Sequence, residues 1–218
     1  FTLAKTTVSV VTPGVTKLPN ISSIENFKKH NFQQPFFLSV GTIEPRKNHA
    51  TLLQAYSKLS EELREKAHLV IVGGKGWGGI NLSAEIQKLG LKNYVHYLEY
   101  VDDKTLASLY QKCMFLAMPS LYEGFGMPLA EAMSYGKPDL TSNISSMPEV
   151  SQKAGVLVSP DDSNEIKQAL ESLISSEKIR DRLSVHAIEN ANKFCWIKSS
   201  ESLIEAFTMA INKTGTTK

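Results

Sequence analysis

Short apolar runs alternate with amphipathic ones along most of the chain. The apolar segments are FFLSVG (36–41), HLVIVGG (68–74), YVHYLEY (94–100), MFLAMPS (114–120), KPDLTS (137–142) and GVLVSP (155–160), each of strand length. Helical patterns fall between them at 50–63, where Leu52, Leu53, Tyr56 and Leu59 share a face, and at 82–89, 104–112, 129–135, 148–153 and 163–175. This βα alternation predicts an α/β fold: a Rossmann-like three-layer sandwich with a mostly parallel six-stranded sheet covered by helices on both faces. Ligands gather at the carboxyl ends of such strands, so function is expected in the βα loops.

Two more helical stretches, 177–193 and 196–212, follow without a strand, and the polar tail KTGTTK (213–218) is expected to fray. Ahead of the sheet, TTVSVVTPGV (6–15) is a β-branched run ending at a Pro-Gly turn, and residues 17–35 are polar and punctuated. The pattern thus divides the chain into a joining segment (1–35), a main domain (36–176), C-terminal helices (177–212) and a tail (213–218).

Composition narrows the possibilities. The 218 residues are 42% apolar with a formal net charge of +2, so a sizeable core is expected, and no basic stripe points to nucleic acid. Cys113 and Cys195 form no Cys-x-x-Cys, and none of the five histidines shows His-x-x-x-His spacing. No metal is expected, and a reducing, cytoplasmic home fits. No apolar run approaches the ~20 residues that span a bilayer. The chain begins at Phe1 without a secretion signal, which suggests a piece of a longer protein.

Three loops carry candidate chemistry, and a fourth imitates it. GGKGWGG (73–79) contains Gly74-x-Gly76-x-x-Gly79 with Glu99 downstream, formally a dinucleotide fingerprint. It follows the second strand instead of the first, and Trp77 would crowd the backbone approach, so a turn is the expected reading. In LYEGFGMPLAEAM (121–133), Glu123 and Glu131 flank Gly124-Phe125-Gly126, and Pro128 suits a first helical position. A helix N-terminus opening there would make an anion site fit for phosphate. Glu131, expected in that helix's first turn, suits a vicinal diol such as a ribose, and Glu123 would face the same cavity from the strand side. A plainer reading is also open, with Glu131 complementing the helix dipole and Glu123 solvated. In VGTIEPRKNHATLLQAY (40–56), the chain leaves the first strand at Gly41 and carries Arg46 and Lys47 toward the next helix. The pair could clamp a diphosphate, or stand solvated. LEYVDDKTLASLY (98–110) offers Asp102 or Asp103 as a cap and Tyr100 or Val101 at the mouth.

SLYEGFGMPLAEAMSYGKP and VGTIEPRKNHATLLQAY, with YVDDKTLASLYQKC, TSNISSMPEV, AGVLVSPDD and FCWIKSSESLIEAF in order over residues 36–207, resemble the donor-binding half of retaining glycosyltransferases of family 4, which have the GT-B fold. The resemblance implies a nucleoside-diphosphate sugar as substrate, no cofactor and no metal. It implies that Glu131 holds the ribose hydroxyls and that Glu123 acts catalytically beside the reacting carbon. Backbone N–H groups of Phe125, Gly126 and Met127 would surround the sugar and diphosphate, Lys47 would bind phosphate, and the Val101 backbone would read the base. Gly41, Thr42, Arg46, Gly124 and Leu129 complete the implied donor set. GTIEPRKN resembles bacterial mannosyltransferases that use GDP-mannose for surface polysaccharide; a UDP-sugar is the other option. The saccharide acceptor would be bound by an N-terminal domain absent from this chain, with the last helix crossing back toward it and the whole enzyme associating peripherally with a membrane. A silent nucleotide-sugar module and a sugar-nucleotide epimerase of similar fold are the alternatives.

Two positions depart from the family pattern. Thr42 stands where many members carry arginine, leaving Arg46 to supply the second cation. Asp139 occupies an apolar strand position, where an unpaired carboxylate would be costly.

Overall fold

All six apolar runs form strands: β1 Phe36–Val40, β2 His68–Val72, β3 Val95–Leu98, β4 Leu116–Met118, β5 Asp139–Ser142 and β6 Gly155–Val158. The structure, a computed structural model, describes residues 8–16 and 34–214; readings made for residues 1–7, 17–33 and 215–218 lie outside the described residues. The strands pair in parallel in the order β3-β2-β1-β4-β5-β6. Chain order reverses between β1 and β4, a switch point at whose carboxyl edge ligands bind in sheets of this kind.

Period two divides the strand side chains between two cores. On one face Phe37, Leu69 and Ile71 meet α1 (His49–Ser57), α3 (Leu82–Lys88) and α7 (Ser163–Ser175). On the other face Phe36, Leu38 and Val70 meet α4 (Asp103–Lys112), α5 (Met127–Ser134), α6 (Met147–Ser151) and α8 (Glu177–Ala191).

The helix expected at 50–63 divides. Ser60 accepts a hydrogen bond from the Leu63 N–H and caps a separate short helix, α2 (Glu61–Lys66), so the run is cut where a serine offers the backbone an alternative partner. The helix expected to open at Leu129 begins at Met127 instead. Glu131 therefore lies beyond the first turn, and the expectation that it sits there is corrected.

Residues 8–16 form no helix or strand. This segment is tied to the corner between α8 and α9 (Trp196–Thr214): the Val15 N–H donates to the Phe194 carbonyl at 2.9 Å and Trp196 Nε1 to Thr16 Oγ1 at 3.0 Å. Along α9, Ile197, Ile204 and Phe207 stay exposed. No helix among the described residues is long and apolar enough to cross a membrane.

Asp139 is 0% exposed, and its setting accounts for half of what its charge requires. Oδ1 accepts from Ser151 Oγ at 2.7 Å, while Oδ2 has no partner. Room for the carboxylate comes from the neighbouring strand, where a Cβ on Gly155 would fall 2.0 Å from Oδ1. Burial pushes the Asp139 carboxyl up to about 7 against the opposing pull of the serine bond.

Candidate functional site

The site lies at the carboxyl edge of β1 and β4. Beyond β1 the chain makes a 3-10 turn, Pro45–Lys47, and enters α1 through Asn48, whose φ of 60° is left-handed. Asparagine tolerates that conformation, and its side chain is fully used. Nδ2 donates to the Pro119 carbonyl at 2.9 Å and to the Pro160 carbonyl at 2.8 Å, while Oδ1 accepts from Thr51 at 2.6 Å. Asn48 thereby fastens the cation-bearing turn to the loops after β4 and β6. The Leu121 N–H adds a bond to the Arg46 carbonyl at 2.7 Å.

The turn delivers both cations to one carboxylate. Lys47 Nζ lies 2.6 Å from Glu123 Oε1, and Arg46 Nη1 donates to Glu123 Oε2 at 2.6 Å. Ser120 Oγ also donates to Oε1 at 3.0 Å, so both carboxylate oxygens are occupied. Lys47 is 9% exposed and Glu123 7%. Arg46, at 38%, reaches solvent and places Nε 2.6 Å from Glu44 Oε1, an ion-pair contact without an aligned hydrogen bond. Burial works against the guanidinium charge, but Glu123 and Glu44 outweigh it and hold Arg46 above its usual value. The next residue, His49, is buried beside this charge, and desolvation followed by repulsion from Lys47 lowers its imidazole to about 4.

The backbone of Glu123 is held as firmly as its side chain. Ser145 Oγ accepts from the Glu123 N–H at 3.1 Å, and the carbonyl accepts from Ser145 Oγ at 2.6 Å and Ser146 Oγ at 2.9 Å. Three residues on, Gly126 caps α5 at φ 95°, and a Cβ there would fall 2.7 Å from Met147 Cε. The left-handed backbone is what favours glycine here, since the Met147 methyl is the end of a flexible side chain and could shift. The helix N-terminus thus opens beside two cations whose charges are compensated within the protein by Glu44 and Glu123. An incoming polyanion would compete for those cations against the carboxylates, with the helix end on its side.

Glu131 occupies a different setting. Its Oε2 accepts from the Tyr110 hydroxyl at 2.7 Å, and it borders a cavity of about 260 Å³ walled by Leu106, Tyr110, Met127, Tyr135 and Trp196. Asp102 caps α4 by accepting from the Thr105 N–H at 2.7 Å, which leaves Asp103 to line that cavity.

With this geometry in place, the sequence pattern of the family described as glycosyl transferases group 1 matches residues 22–193. The chain belongs to that family. Among curated relatives of this group 1 glycosyltransferase chain, O-antigen chain mannosyltransferase B of Escherichia coli is 35% identical over 176 residues, covering 81% of this chain and 46% of that protein. Serotype-specific mannosyltransferase WbdA of Escherichia coli is 34% identical over 183 residues, covering 83% of this chain and 22% of that protein. The chain therefore spans about half the length of the first relative and less of the second. The crystal structure of WaaG, a glycosyltransferase involved in lipopolysaccharide biosynthesis, superposes with a TM-score of 0.75 at 23% identity over 89% of this chain and 55% of that one, a likeness of fold. The parallel sheet and its flanking helices are thus those of GT-B glycosyltransferases.

Within this group 1 site, the residues singled out in sequence fall into two clusters. Arg46, Lys47 and Glu123 meet directly, while Met127 and Glu131 border the cavity. Gly124, Phe125 and Gly126 form the loop between the clusters, and Val101 is half-buried at the mouth of α4. Leu129 is fully buried in the core, so its side chain is structural. Gly41 donates its N–H to the Val72 carbonyl at 2.9 Å, and Thr42 is exposed. The glycine-rich loop at 73–79 packs on the first loop, with the Gly76 N–H donating to the Ile43 carbonyl at 3.1 Å. Gly73, Gly76 and Gly78 serve close packing between the loops, whereas a Cβ on Gly74 or Gly79 would meet nothing. Sequence reading missed Glu44, Asn48, Ser120, Ser145, Ser146 and Tyr110. An asparagine after two cations and before a helix was a usable sign of a left-handed cap; the serines and the tyrosine gave none.

Proposed function

We propose that this chain is the donor-binding half of a retaining mannosyltransferase. It binds a nucleoside-diphosphate sugar, GDP-mannose in preference to a UDP-sugar, for transfer to a growing surface polysaccharide of the O-antigen type. The observation that carries the reading is Glu123 held at 2.6 Å by both Arg46 and Lys47 beside the start of α5. The mannosyltransferase names of the relatives support the sugar.

The assignment gives each group a task. Lys47 and Arg46 take the diphosphate oxygens and stabilise the charge that grows as the glycosidic oxygen leaves, and the α5 N-terminus adds its dipole. Protein cations and a helix end supply the charge compensation, so the reading assigns no metal. Glu123 releases part of its hold on the cations as phosphate arrives and turns its oxygens toward the sugar beside the reacting carbon. The acceptor attacks from the face that the leaving group vacates, which preserves configuration. Glu131 takes the ribose diol, and the Val101 backbone reads the base. Acceptor binding falls to a separate domain, and the whole enzyme works in the cytoplasm, peripherally at a membrane face.

Titrating GDP, UDP, ADP and NAD into this chain while following its melting temperature tests the reading, since a ligand selective for the native state raises it. GDP is expected to give the largest rise, with Lys47→Ala abolishing most of it. A rise with NAD alone would overturn the transferase assignment, and indifference to every nucleotide would leave a silent module.

A further inference from the structure

The two signature carboxylates are supported by different chemistry, and the support of Glu131 comes from a residue to which the sequence motifs assign no role, Tyr110 at the end of LEYVDDKTLASLY. Tyr110 lies on α4, 1% exposed, with its ring stacked on Tyr135 at 5.9 Å between centroids and 11° between planes. Packing on that scale fixes a ring, and a fixed ring fixes its hydroxyl. That hydroxyl donates to Glu131 Oε2 at 2.7 Å, a charge-assisted bond at the wall of the 260 Å³ cavity. Burial, reinforced by the Glu131 charge, raises the phenol well above its usual range, so it remains a donor at any working pH.

From this geometry we infer that Tyr110 is a positioning residue: its hydroxyl holds one oxygen of Glu131 and thereby aims the other at the 2′,3′-diol of the donor's ribose. The inference rests on the donor-binding reading proposed above. It extends that reading by making selection of ribo- over 2′-deoxyribonucleotides depend on a residue that acts through Glu131. A glutamate alone at this place would sample several rotamers, and the diol would have to order it on binding. With Tyr110 in place, that ordering is already present in the free protein.

The experiment is a calorimetric titration of this chain with GDP and with 2′-deoxyguanosine diphosphate. Wild type is expected to bind GDP about tenfold more tightly, the scale of one hydrogen bond to a charged group. Tyr110→Phe is expected to weaken GDP about fivefold and leave the deoxy analogue unchanged, so that discrimination collapses. In a Glu131→Ala background, Tyr110→Phe should add nothing. If Tyr110→Phe discriminates as wild type does, or weakens both ligands equally, the positioning role is overturned while the donor reading stands. If wild type binds GDP but does not discriminate, the ribose assignment of Glu131 falls, and this inference with it. If wild type binds neither ligand, the donor reading itself falls. Should Tyr110→Phe fail to fold, Glu131→Asp carries the test: the shorter carboxylate cannot reach phenol and diol together, and full discrimination by that variant would overturn the inference.

Discussion

Glu123 and Glu131 stand in one motif and have almost nothing else in common. Glu123 is buried, bound to two cations and a serine, with three further hydrogen bonds holding its backbone. Glu131 is half-buried, and its hydrogen-bond donor among the described residues is one neutral phenol. One carboxylate is therefore fully engaged until a ligand displaces it, and the other is already aimed with spare acceptor capacity. A single sequence signature can serve two tasks because its glycine turn places the two residues on opposite sides of a helix start: Glu123 on the strand side against the first loop, Glu131 past the first turn against α4.

The strongest way to break this contrast is to remove Lys47. Its loss leaves Glu123 with Arg46 and the Ser120 hydroxyl and removes a phosphate donor, so nucleoside diphosphate affinity should fall about 30- to 150-fold, from ~2–3 kcal/mol for a charged hydrogen bond. The bare nucleoside guanosine should lose almost nothing, because it uses the Glu131 side. Equal losses for GDP and guanosine, measured by calorimetry, would show that the two clusters do not work separately.

Arg46→Ala should weaken the diphosphate less, about fivefold, because Arg46 is more exposed and shares its charge with Glu44. Unchanged affinity would end its role as the substitute for the arginine that Thr42 replaces. A smaller effect separates scaffold from charge. Asn48→Gly keeps the left-handed turn but loses the bonds to Pro119 and Pro160, and Asn48→Ala loses the bonds and strains the backbone. Denaturant melts should show Asn48→Ala less stable than Asn48→Gly by about 1 kcal/mol, and both variants should bind GDP about twofold to threefold more weakly as Lys47 loosens.

These contacts also mark where sequence reading ends. The sheet was legible because fully buried parallel strands must be near-continuously apolar, as FFLSV and HLVIV are. Arg46, Lys47 and the two glutamates stood out as candidates by their places beside glycines and a helix start, but solvated charges and a dipole-complementing glutamate fitted those places equally, and only the family resemblance gave them roles. Their mutual pairing was not legible, since Arg46 and Glu123 are 77 residues apart and meet only because β1 and β4 are neighbours at the switch point. Tyr110 falls within the helical pattern at 104–112, and such a pattern cannot show where a hydroxyl points. The split of the 50–63 helix escaped for a related reason: Ser60 acts through a local bond that periodicity does not register.

Asp139 supplies a third carboxylate and the smallest expected effect on the site. It is buried more completely than either signature glutamate, with a serine in place of a cation or a ligand. Asp139→Asn should therefore leave GDP affinity unchanged and act on stability alone. The sign follows from the folded value of about 7 lying above the ordinary carboxyl value of 3.8. Below pH ~4 the group is protonated in both states and imposes no penalty; as pH rises toward 7 the unfolded chain ionises first, and stability falls. His49 works oppositely over much of that window, because its folded value of about 4 lies below 6.5 and stability is lost as pH drops between the two. Wild type should thus show a melting temperature that partly balances the two groups from pH 4 to 6.5. Asp139→Asn should unmask the His49 slope, with melting temperature rising as pH rises. A variant whose pH profile parallels that of wild type would mean that the Asp139 carboxyl is already ionised in the folded protein and that its unpartnered oxygen is solvated after all.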